Sequence, residues 1–330
     1  MIRNRILAAS AIVIIVISAI ISRNFVFKTL PITTKSMEPS LGYNTKATLN
    51  KFTKKPRRND IIAFHFPEGD TIIPAKSDLN YYTMNTIYGT AWISEKDLQY
   101  KPLADAEVLI SRCIGLPGEI LIIDNGQIYI NKKKVKQPYP TKTPYFIVIE
   151  GLINPVLLGS IGIDSIDQSL ERKFNPEWLK YTDIARNLRS NTVLYALDDN
   201  SVSKIRNFTI VKGVYPLIKP KNISEPYIFP RNSNFKWNED NFGPILIPAK
   251  GKSLKLSLAI LPIYKRIIEV YENNKLQINN DKIFINNQLT EYYTFKQNYY
   301  LVFNDNRYAK SDSRYWGFVP QNLIIGTIYN

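Results

Sequence analysis

The sequence is nearly devoid of two residue types on which many enzymes depend. Among 330 residues it has one cysteine, Cys113, and one histidine, His65. A disulfide within the chain is therefore excluded, and a His/Cys metal site cannot be assembled. A Ser-His-Asp triad would have to use His65, which lies in the run IIAFHFP, a pattern typical of a strand. We therefore predict that the protein uses no metal and no cofactor, and that His65 is a strand residue.

Acidic residues are also scarce. The chain has 28 Asp and Glu against 43 Lys and Arg, a formal net charge of +15. Strongly basic chains often bind nucleic acid or anionic membranes. The lysines are spread along the whole sequence, and no arginine-rich helix or nucleic-acid motif accompanies them. We therefore expect no nucleic-acid partner, and a basic surface that faces an anionic membrane.

Long apolar runs are absent except at the N-terminus. Residues 6–21 carry no charge, and apolar character resumes at residues 25–27. We predict a retained membrane anchor over residues 1–28, because a helix that continues past Arg23 is long enough to span a bilayer. A cleaved signal peptide is the alternative, since small residues occur within the run. The excess of positive charge before the span is only modest.

The remainder of the chain is predicted to be mainly β. The runs DIIAFHFP, EVLISRCI, RIIEVY and NYYLVFND are rich in β-branched and aromatic residues, and polar turns separate them. Two stretches, Leu121–Val135 and Leu276–Thr290, match each other as strand, Asn-rich turn, strand and second turn. Each predicts a β-hairpin whose turn residues tolerate a positive φ.

We predict a β core in two parts, residues 29–140 and 249–330. The first part contains a short insertion at about residues 68–106. Residues 141–248 form a larger inserted α+β cap, in which SIDQSLERKF and NPEWLKYTDIARNL have helical spacing. Pro176 suits the first position of the second helix.

Four polar stretches follow one another in the predicted core. They are SMEPSL (36–41), RRNDIIAF (57–64), SRCIGLPGE (111–119) and NDNRYAKSDSRYWGFVP (304–320). A Ser-Met-x-Pro stretch alone indicates no more than a rigid turn. In this order, behind one predicted span, the four stretches resemble the conserved boxes of type I signal peptidases, membrane-anchored serine proteases that remove signal peptides. The resemblance implies a signal-peptidase-like antiparallel β core, here with unusually long insertions.

The resemblance also implies roles for individual residues. Ser36 corresponds to the nucleophile, which attacks the scissile carbonyl and forms an acyl-enzyme. The Ser36 backbone N–H and the Thr34 hydroxyl correspond to the oxyanion-hole donors. In this family the general base is a lysine, which has to be neutral and therefore needs apolar surroundings.

The base is where this sequence departs from the family. The family's lysine precedes the arginine of the third box, and here Ser111 stands in that position. The family's serine in the fourth box, which touches that lysine, is replaced by Lys310, and Asn304 replaces a glycine. We therefore hypothesise that lysine and serine have exchanged places. Lys310 is then the general base, and Ser111 orients it.

Two alternatives remain open for the base. The site is catalytically inactive, in which case the protein is a signal-peptide-binding or assembly subunit, or another lysine acts as base. Lys35 neighbours Ser36, but adjacent side chains of an extended segment point to opposite faces. A self-cleaving repressor is disfavoured by the predicted anchor and the lack of a DNA-binding helix pair.

Four further charged residues of the fourth box complete the predicted site. We expect ion pairs and hydrogen bonds that hold the Lys310 segment in place, with a salt bridge between the last two members of the set. The set is Asp305, Arg307, Asp312 and Arg314.

The resemblance implies a substrate and a location as well. Signal peptides of exported preproteins are expected to bind as an added strand, with small side chains in shallow pockets near Ile32, residues 61–64 and Ile110. Membrane lipid is the second expected partner, and association with the secretion machinery is compatible with this function. The expected location is the inner (plasma) membrane, crossed once, with a cytoplasmic N-terminus and the catalytic domain on the outer, periplasmic side.

Overall fold

The computed structural model describes residues 26–74, 81–88, 95–151, 159 and 192–329. Nearly all of the predicted membrane anchor and both predicted cap helices lie outside these ranges. Within them, no helix combines the length and the apolar character needed to cross a membrane.

The described part of the chain is mainly β, as predicted. The strands in chain order are β1 (Phe27–Pro31), β2 (Lys46–Asn50), β3 (Ile61–His65), β4 (Thr71–Ile72), β5 (Gln99–Tyr100), β6 (Val108–Gly115), β7 (Ile120–Asp124), β8 (Gln127–Ile130), β9 (Lys133–Lys134), β10 (Thr143–Ile149), β11 (Thr192–Leu197), β12 (Val211–Pro216), β13 (Phe242–Leu246), β14 (Ser253–Lys255), β15 (Leu276–Asn279), β16 (Lys282–Ile285), β17 (Gln288–Leu289), β18 (Tyr292–Thr294), β19 (Tyr299–Phe303), β20 (Val319–Pro320) and β21 (Ile324–Tyr329). The helices are α1 (Tyr81–Tyr88), α2 (Asp199–Ile205), α3 (Leu261–Arg266) and α4 (Ser313–Trp316).

The largest sheet has seven strands in the order β1-β2-β21-β3-β6-β19-β20, and every pair in it is antiparallel. Its register brings distant parts of the sequence together. Ser111 on β6 lies opposite Ile62 on β3, and Arg112 lies opposite Phe303 on β19. The second and third sequence boxes therefore lie on the neighbouring strands β3 and β6, and the fourth box begins directly after the next strand, β19.

The two faces of this sheet bury different apolar clusters. On β3, Ile62 and Phe64 belong to the main core, whereas the intervening Ala63 belongs to a smaller cluster with Met37 and Leu41. This division follows from the alternation of side chains along a strand. The turn that carries Met37 and Leu41 is thereby anchored on the face opposite the main core.

The two predicted hairpins are both confirmed. β7 pairs with β8, with Leu121 opposite Ile130, and β15 pairs with β16, with Leu276 opposite Ile285. The tight turns contain residues at positive φ, among them Asn125 at 48°. Asparagine tolerates this conformation better than most residues, so the local sequence fixes both hairpins.

A separate three-stranded sheet, β11-β10-β12, lies within the predicted cap. It has an apolar cluster of its own, which includes Ile147, Tyr195, Leu197, Ile205 and Val214. β13 also falls within the predicted cap, but it pairs with β7 of the first hairpin. The domain boundaries stay a prediction.

The prediction of a strand at RIIEVY is wrong. Ile267–Tyr271 is a π-helical turn that continues α3. Pro262 occupies the first turn of α3, where a missing N–H costs no hydrogen bond. Leu261, Tyr264 and Ile268 are buried at the spacing of a helix, with a period near 3.6 residues. The β-branched residues in this run made it resemble a strand.

The close approach of β21 to β2 yields a stability prediction. A Cβ at Gly326 would lie 2.1 Å from the Asn50 carbonyl oxygen, which is too close for a backbone contact. We expect Gly326→Ala to lower the free energy of unfolding by about 2 kcal/mol or more, because the strands must shift. Denaturant unfolding of the full chain in detergent measures this.

The matched control for that substitution is Gly42→Ala. A Cβ at Gly42 would meet the side chain of Thr45, with the methyl group at 3.1 Å, and a side chain can move aside. Equal unfolding midpoints for the two variants would contradict the proposed clash.

Candidate active site

The predicted nucleophile lies on the turn between β1 and β2. The Leu41 N–H donates to the Met37 carbonyl at 2.9 Å, and both side chains are buried. The Ser36 carbonyl accepts from the Asn306 N–H at 3.0 Å. The Ser36 Oγ lies 2.8 Å from the Thr34 Oγ1, so the structure brings these two predicted site residues into one hydrogen-bonded pair.

Ser111 occupies the centre of the sheet, where the family's lysine stands. It is 1% exposed, and its hydroxyl donates to the Asn304 Oδ1 at 2.7 Å. The Asn304 Nδ2 in turn donates to the Ser311 hydroxyl at 3.0 Å. The hydroxyl proton is used for Asn304, whereas the oxygen can still accept a hydrogen bond. The orientation of Lys310 by Ser111 stays a prediction.

Asn59 of the second box, like Asn304 of the fourth, stands where the resemblance implies a glycine, and the two asparagines act differently from each other. Asn59 has a φ of 74°, a backbone conformation that favours glycine, and its carbonyl accepts from Arg112 at 2.7 Å. Asn304 is fully buried and contributes through its side chain, which joins Ser111 to Ser311. Our sequence analysis noted Asn304 only as the replacement of a glycine and missed this bridge.

A buried ion pair links the third and fourth boxes. The Arg112 Nε donates to the Asp305 Oδ1 at 2.8 Å, and a second guanidinium nitrogen contacts Oδ2 of the same carboxylate. The Arg112 Nη2 also donates to the Ser40 hydroxyl at 2.9 Å. Bidentate pairing of this kind fixes geometry as well as charge. One guanidinium therefore holds the fourth box and the Ser36 turn against β6.

The predicted ion pair between Asp312 and Arg314 is present. The Arg314 Nε and Nη2 donate to the two carboxylate oxygens at 3.0 and 2.8 Å. Burial disfavours the charged guanidinium, but the Asp312 carboxylate outweighs it and raises the pKa of Arg314. The Arg314 Nη2 also donates to the Arg307 carbonyl at 2.8 Å, which closes the loop that contains Lys310.

Arg307 faces a different partner. Its Nη2 donates to the Gln137 side-chain oxygen at 2.6 Å, and its guanidinium lies 5.4 Å from the centre of the Phe303 ring. Burial lowers the pKa of Arg307 from its ordinary value. Its contacts therefore attach the loop to residues that precede the cap.

Lys310 is exposed, and its amine lies 4.8 Å from the centre of the Tyr227 ring. That ring stacks on Tyr315 at 6.1 Å. Burial raises the pKa of the nearby Glu239 carboxyl, but Lys219 chiefly, and Lys310 in smaller part, lower it below its ordinary value. The amine of Lys310 is thus attracted to an aromatic and acidic cluster, whereas the Ser36 hydroxyl bonds to Thr34.

A cavity of about 320 Å³ lies beside this cluster. Its walls come from the loop after β19, the β7–β8 hairpin, and β10 and β12 of the cap, and they include Lys310, Glu239 and Asp240. Burial raises the pKa of Asp240 to about 6, even though the Lys219 N–H donates to its Oδ2 at 2.8 Å.

The remaining candidates have structural contacts. His65 is on β3, as predicted, and its Nδ1 lies 2.9 Å from the Ala106 carbonyl oxygen. The Lys35 amine lies 5.9 Å from the centre of the Tyr43 ring. Among the described residues, no cluster of three or more His, Cys, Asp or Glu could hold a metal ion.

Comparisons with known proteins identify the family. The profile described as "Signal peptidase, peptidase S26" matches residues 5–200 and 221–329, which is most of the chain. The chain therefore belongs to the signal peptidase family, peptidase S26.

Individual relatives match a smaller part of the chain. Signal peptidase I S of Bacillus subtilis (strain 168) is 29% identical over 131 residues, and Signal peptidase I P of Bacillus subtilis subsp. natto is 32% identical over 129. These alignments cover 40% and 39% of this chain, and 52% of each relative. The chain thus spans about half the length of the curated relatives that it matches. A crystal structure of a signal peptidase I from Enterococcus faecalis V583 aligns over 84% of this chain and 99% of its own, at 16% identity and a TM-score of 0.26.

The buried Asp240 carboxyl leads to a pH prediction. Its pKa is about 6 in the folded protein and near its ordinary value of 3.8 when unfolded, so the folded state retains the proton between these values. Stability contributed by that proton is present at low pH and is lost as the pH rises from about 4 to 6. We expect Asp240→Asn, which carries no charge, to gain stability relative to the wild type across this window.

Free energies of unfolding at pH 4.5 and pH 7.5 test this for both proteins. The advantage of the variant should be larger at pH 7.5 by one to a few kcal/mol, about 1.4 kcal/mol for each unit of pKa difference. An advantage that is equal at both values would show that Asp240 titrates normally.

Proposed function

We propose that this protein is a signal peptidase that removes N-terminal signal peptides from exported preproteins at the membrane surface. In this proposal Ser36 is the nucleophile, and the Ser36 N–H and the Thr34 hydroxyl stabilise the oxyanion. Membership of the peptidase S26 family supports the reaction class. The observation that carries the assignment of residues is the 2.8 Å pair between the Thr34 and Ser36 hydroxyls.

The apolar surroundings of Ser36 also support this substrate. Ile32 is buried in the cluster beneath the Ser36 turn, and Ile61 and Ile110 pack against that cluster. These are the positions at which we expect small side chains of a signal peptide to be accommodated. An extended peptide can bind along exposed strand edges through its main chain.

The general base in this proposal is Lys310. The structure describes its amine at the Tyr227 ring, so catalysis requires the amine to leave that ring and approach Ser36 when substrate covers the site. The move is chemically reasonable because a lysine base has to be neutral, and a water-excluding substrate favours the neutral amine. Its loop is held at the Arg307 carbonyl and at Asp312, on either side of Lys310, so the proposed change is a change of the side-chain rotamer.

One observation favours a second candidate function. The buried hydrogen bonds from Ser111 to Asn304 and from Asn304 to Ser311 occupy the position of the family's lysine. If Lys310 keeps its place at Tyr227, the site has a nucleophile without a base. The protein is then an inactive homologue that binds signal peptides or takes part in an assembly.

Cleavage of a preprotein by the purified full chain separates these functions. We expect Ser36→Ala and Lys310→Ala each to lose more than about a hundredfold in kcat, since a positioned general base contributes that much. Ser111→Ala should lose less. The matched control is Lys252→Ala, which removes an exposed lysine directly before β14. This variant should cleave like the wild type.

The contrary outcomes are equally specific. Activity that survives Lys310→Ala removes this lysine from the mechanism. A wild type that binds signal peptide but does not cleave supports the second function. In that case Ser111→Lys combined with Asn304→Gly, which restores both family residues, should produce cleavage if a missing base is the reason.

A further inference from the structure

We propose that the segment 137–142 is a strap that positions the nucleophile turn, and that the ion pair between Lys142 and Glu38 is its essential contact. The segment reads Gln-Pro-Tyr-Pro-Thr-Lys and joins β9 to β10, where the predicted cap begins. The structural part of this inference stands on its own. Its effect on reaction rate rests on the proposed function.

The backbone of the strap is restricted to extended conformations. Pro138 and Pro140 fix their own φ, and each restricts the residue before it to extended conformations. Burial alternates accordingly: Gln137 and Tyr139 are half-buried, whereas both prolines are exposed. The side chains between the prolines are therefore held against the protein.

Each inward residue contacts a different box of the site. The Gln137 side-chain oxygen accepts from Arg307 at 2.6 Å. The Tyr139 ring centre lies 3.8 Å from the Arg112 guanidinium carbon, close enough for a cation–π contact. The strap thus covers both guanidinium groups that hold the fourth and third boxes.

The last residue of the strap reaches the nucleophile turn. The Lys142 amine lies 3.0 Å from the Glu38 carboxylate, and the two side chains are only 12% and 17% exposed. The Lys142 backbone donates to the Asp305 carbonyl at 2.9 Å and accepts from the Arg307 N–H at 2.8 Å. Its backbone is therefore fixed, so the ion pair fixes Glu38 in turn.

Glu38 is two residues from Ser36, which makes its position important for the hydroxyl. The turn is also held by its buried apolar side chains and by two hydrogen bonds, from Arg112 to Ser40 and from the Asn306 N–H to the Ser36 carbonyl. These hydrogen bonds lie at two points of the turn, and Glu38 lies between them. Loss of the ion pair removes the side-chain contact between these two points, and a shift of about 1 Å in the Ser36 hydroxyl can reduce catalysis a hundredfold.

The test compares Lys142→Ala, Lys142→Arg, Glu38→Gln and the double variant Lys142→Ala/Glu38→Gln in the full chain. We expect Lys142→Ala and Glu38→Gln each to lower kcat by about tenfold or more with little change in KM, because the nucleophile is misplaced while substrate binding is kept. Lys142→Arg should retain most activity, since a guanidinium also pairs with the carboxylate. The double variant should be no worse than either single variant, because both act through one contact.

The matched control is Lys212→Ala. It removes an ion pair of similar length, 2.7 Å to Glu150, that lies in the cap but on an exposed surface. We expect wild-type kcat and KM for this variant. A kcat for Lys142→Ala equal to that for Lys212→Ala would overturn the proposal.

Hydrogen exchange separates this inference from the proposed function. Residues 35–41 should exchange faster in Lys142→Ala and Glu38→Gln than in the wild type and in Lys212→Ala, whether or not the protein cleaves anything. Unchanged exchange in this segment would overturn the strap even in an active enzyme. If Lys142→Ala does not fold, Glu38→Gln, which is nearly isosteric, provides the same comparison.

Discussion

The buried pair between Arg112 and Asp305 is the contact on which the arrangement of the site depends. The Asp305 carboxylate is completely buried, and without the guanidinium it would be an uncompensated charge in the protein interior. The same guanidinium reaches the Ser40 hydroxyl and the Asn59 carbonyl. A single side chain of the third box thus ties the other three sequence boxes to β6. This explains how the four boxes stay together although Ser111, which precedes Arg112 on the strand, differs from the family residue.

If two positions exchange residue types, as we hypothesise for 111 and 310, the direction in which each position projects its side chain is not exchanged with them. A side chain at position 111 projects from the middle of a strand, so its direction is set by the sheet. Lys310 belongs to a loop, and its direction is set by what surrounds that loop. The Tyr227 ring and the nearby Glu239 carboxylate attract the amine, and Asn304 fills the space beside Ser111. The position of the Lys310 amine is therefore determined by neighbours outside the four boxes.

The sequence was sufficient for features that depend on local patterns or on family boxes. The hairpins follow from Asn-rich turns such as that at Asn125, and the ion pair between Asp312 and Arg314 follows from the fourth box. The helical turn at Ile267–Tyr271 was missed because β-branched residues concealed its period. The contact of Lys310 with Tyr227 could not be predicted, because it joins residues far apart in the sequence. No local sequence pattern indicates that the predicted cap packs against the loop that contains Lys310.

The cap meets the site at both of its ends. Lys142, at its beginning, holds Glu38 of the nucleophile turn, and Tyr227, in its later part, receives the amine of Lys310. The Phe229 N–H also donates to the Arg314 carbonyl at 2.9 Å, so the cap and the fourth box are bonded directly. The predicted cap therefore contacts both the turn that carries Ser36 and the amine of Lys310. In the proposed mechanism a lysine is a base only when neutral, so an acidic cluster that attracts the charged amine opposes proton transfer from Ser36.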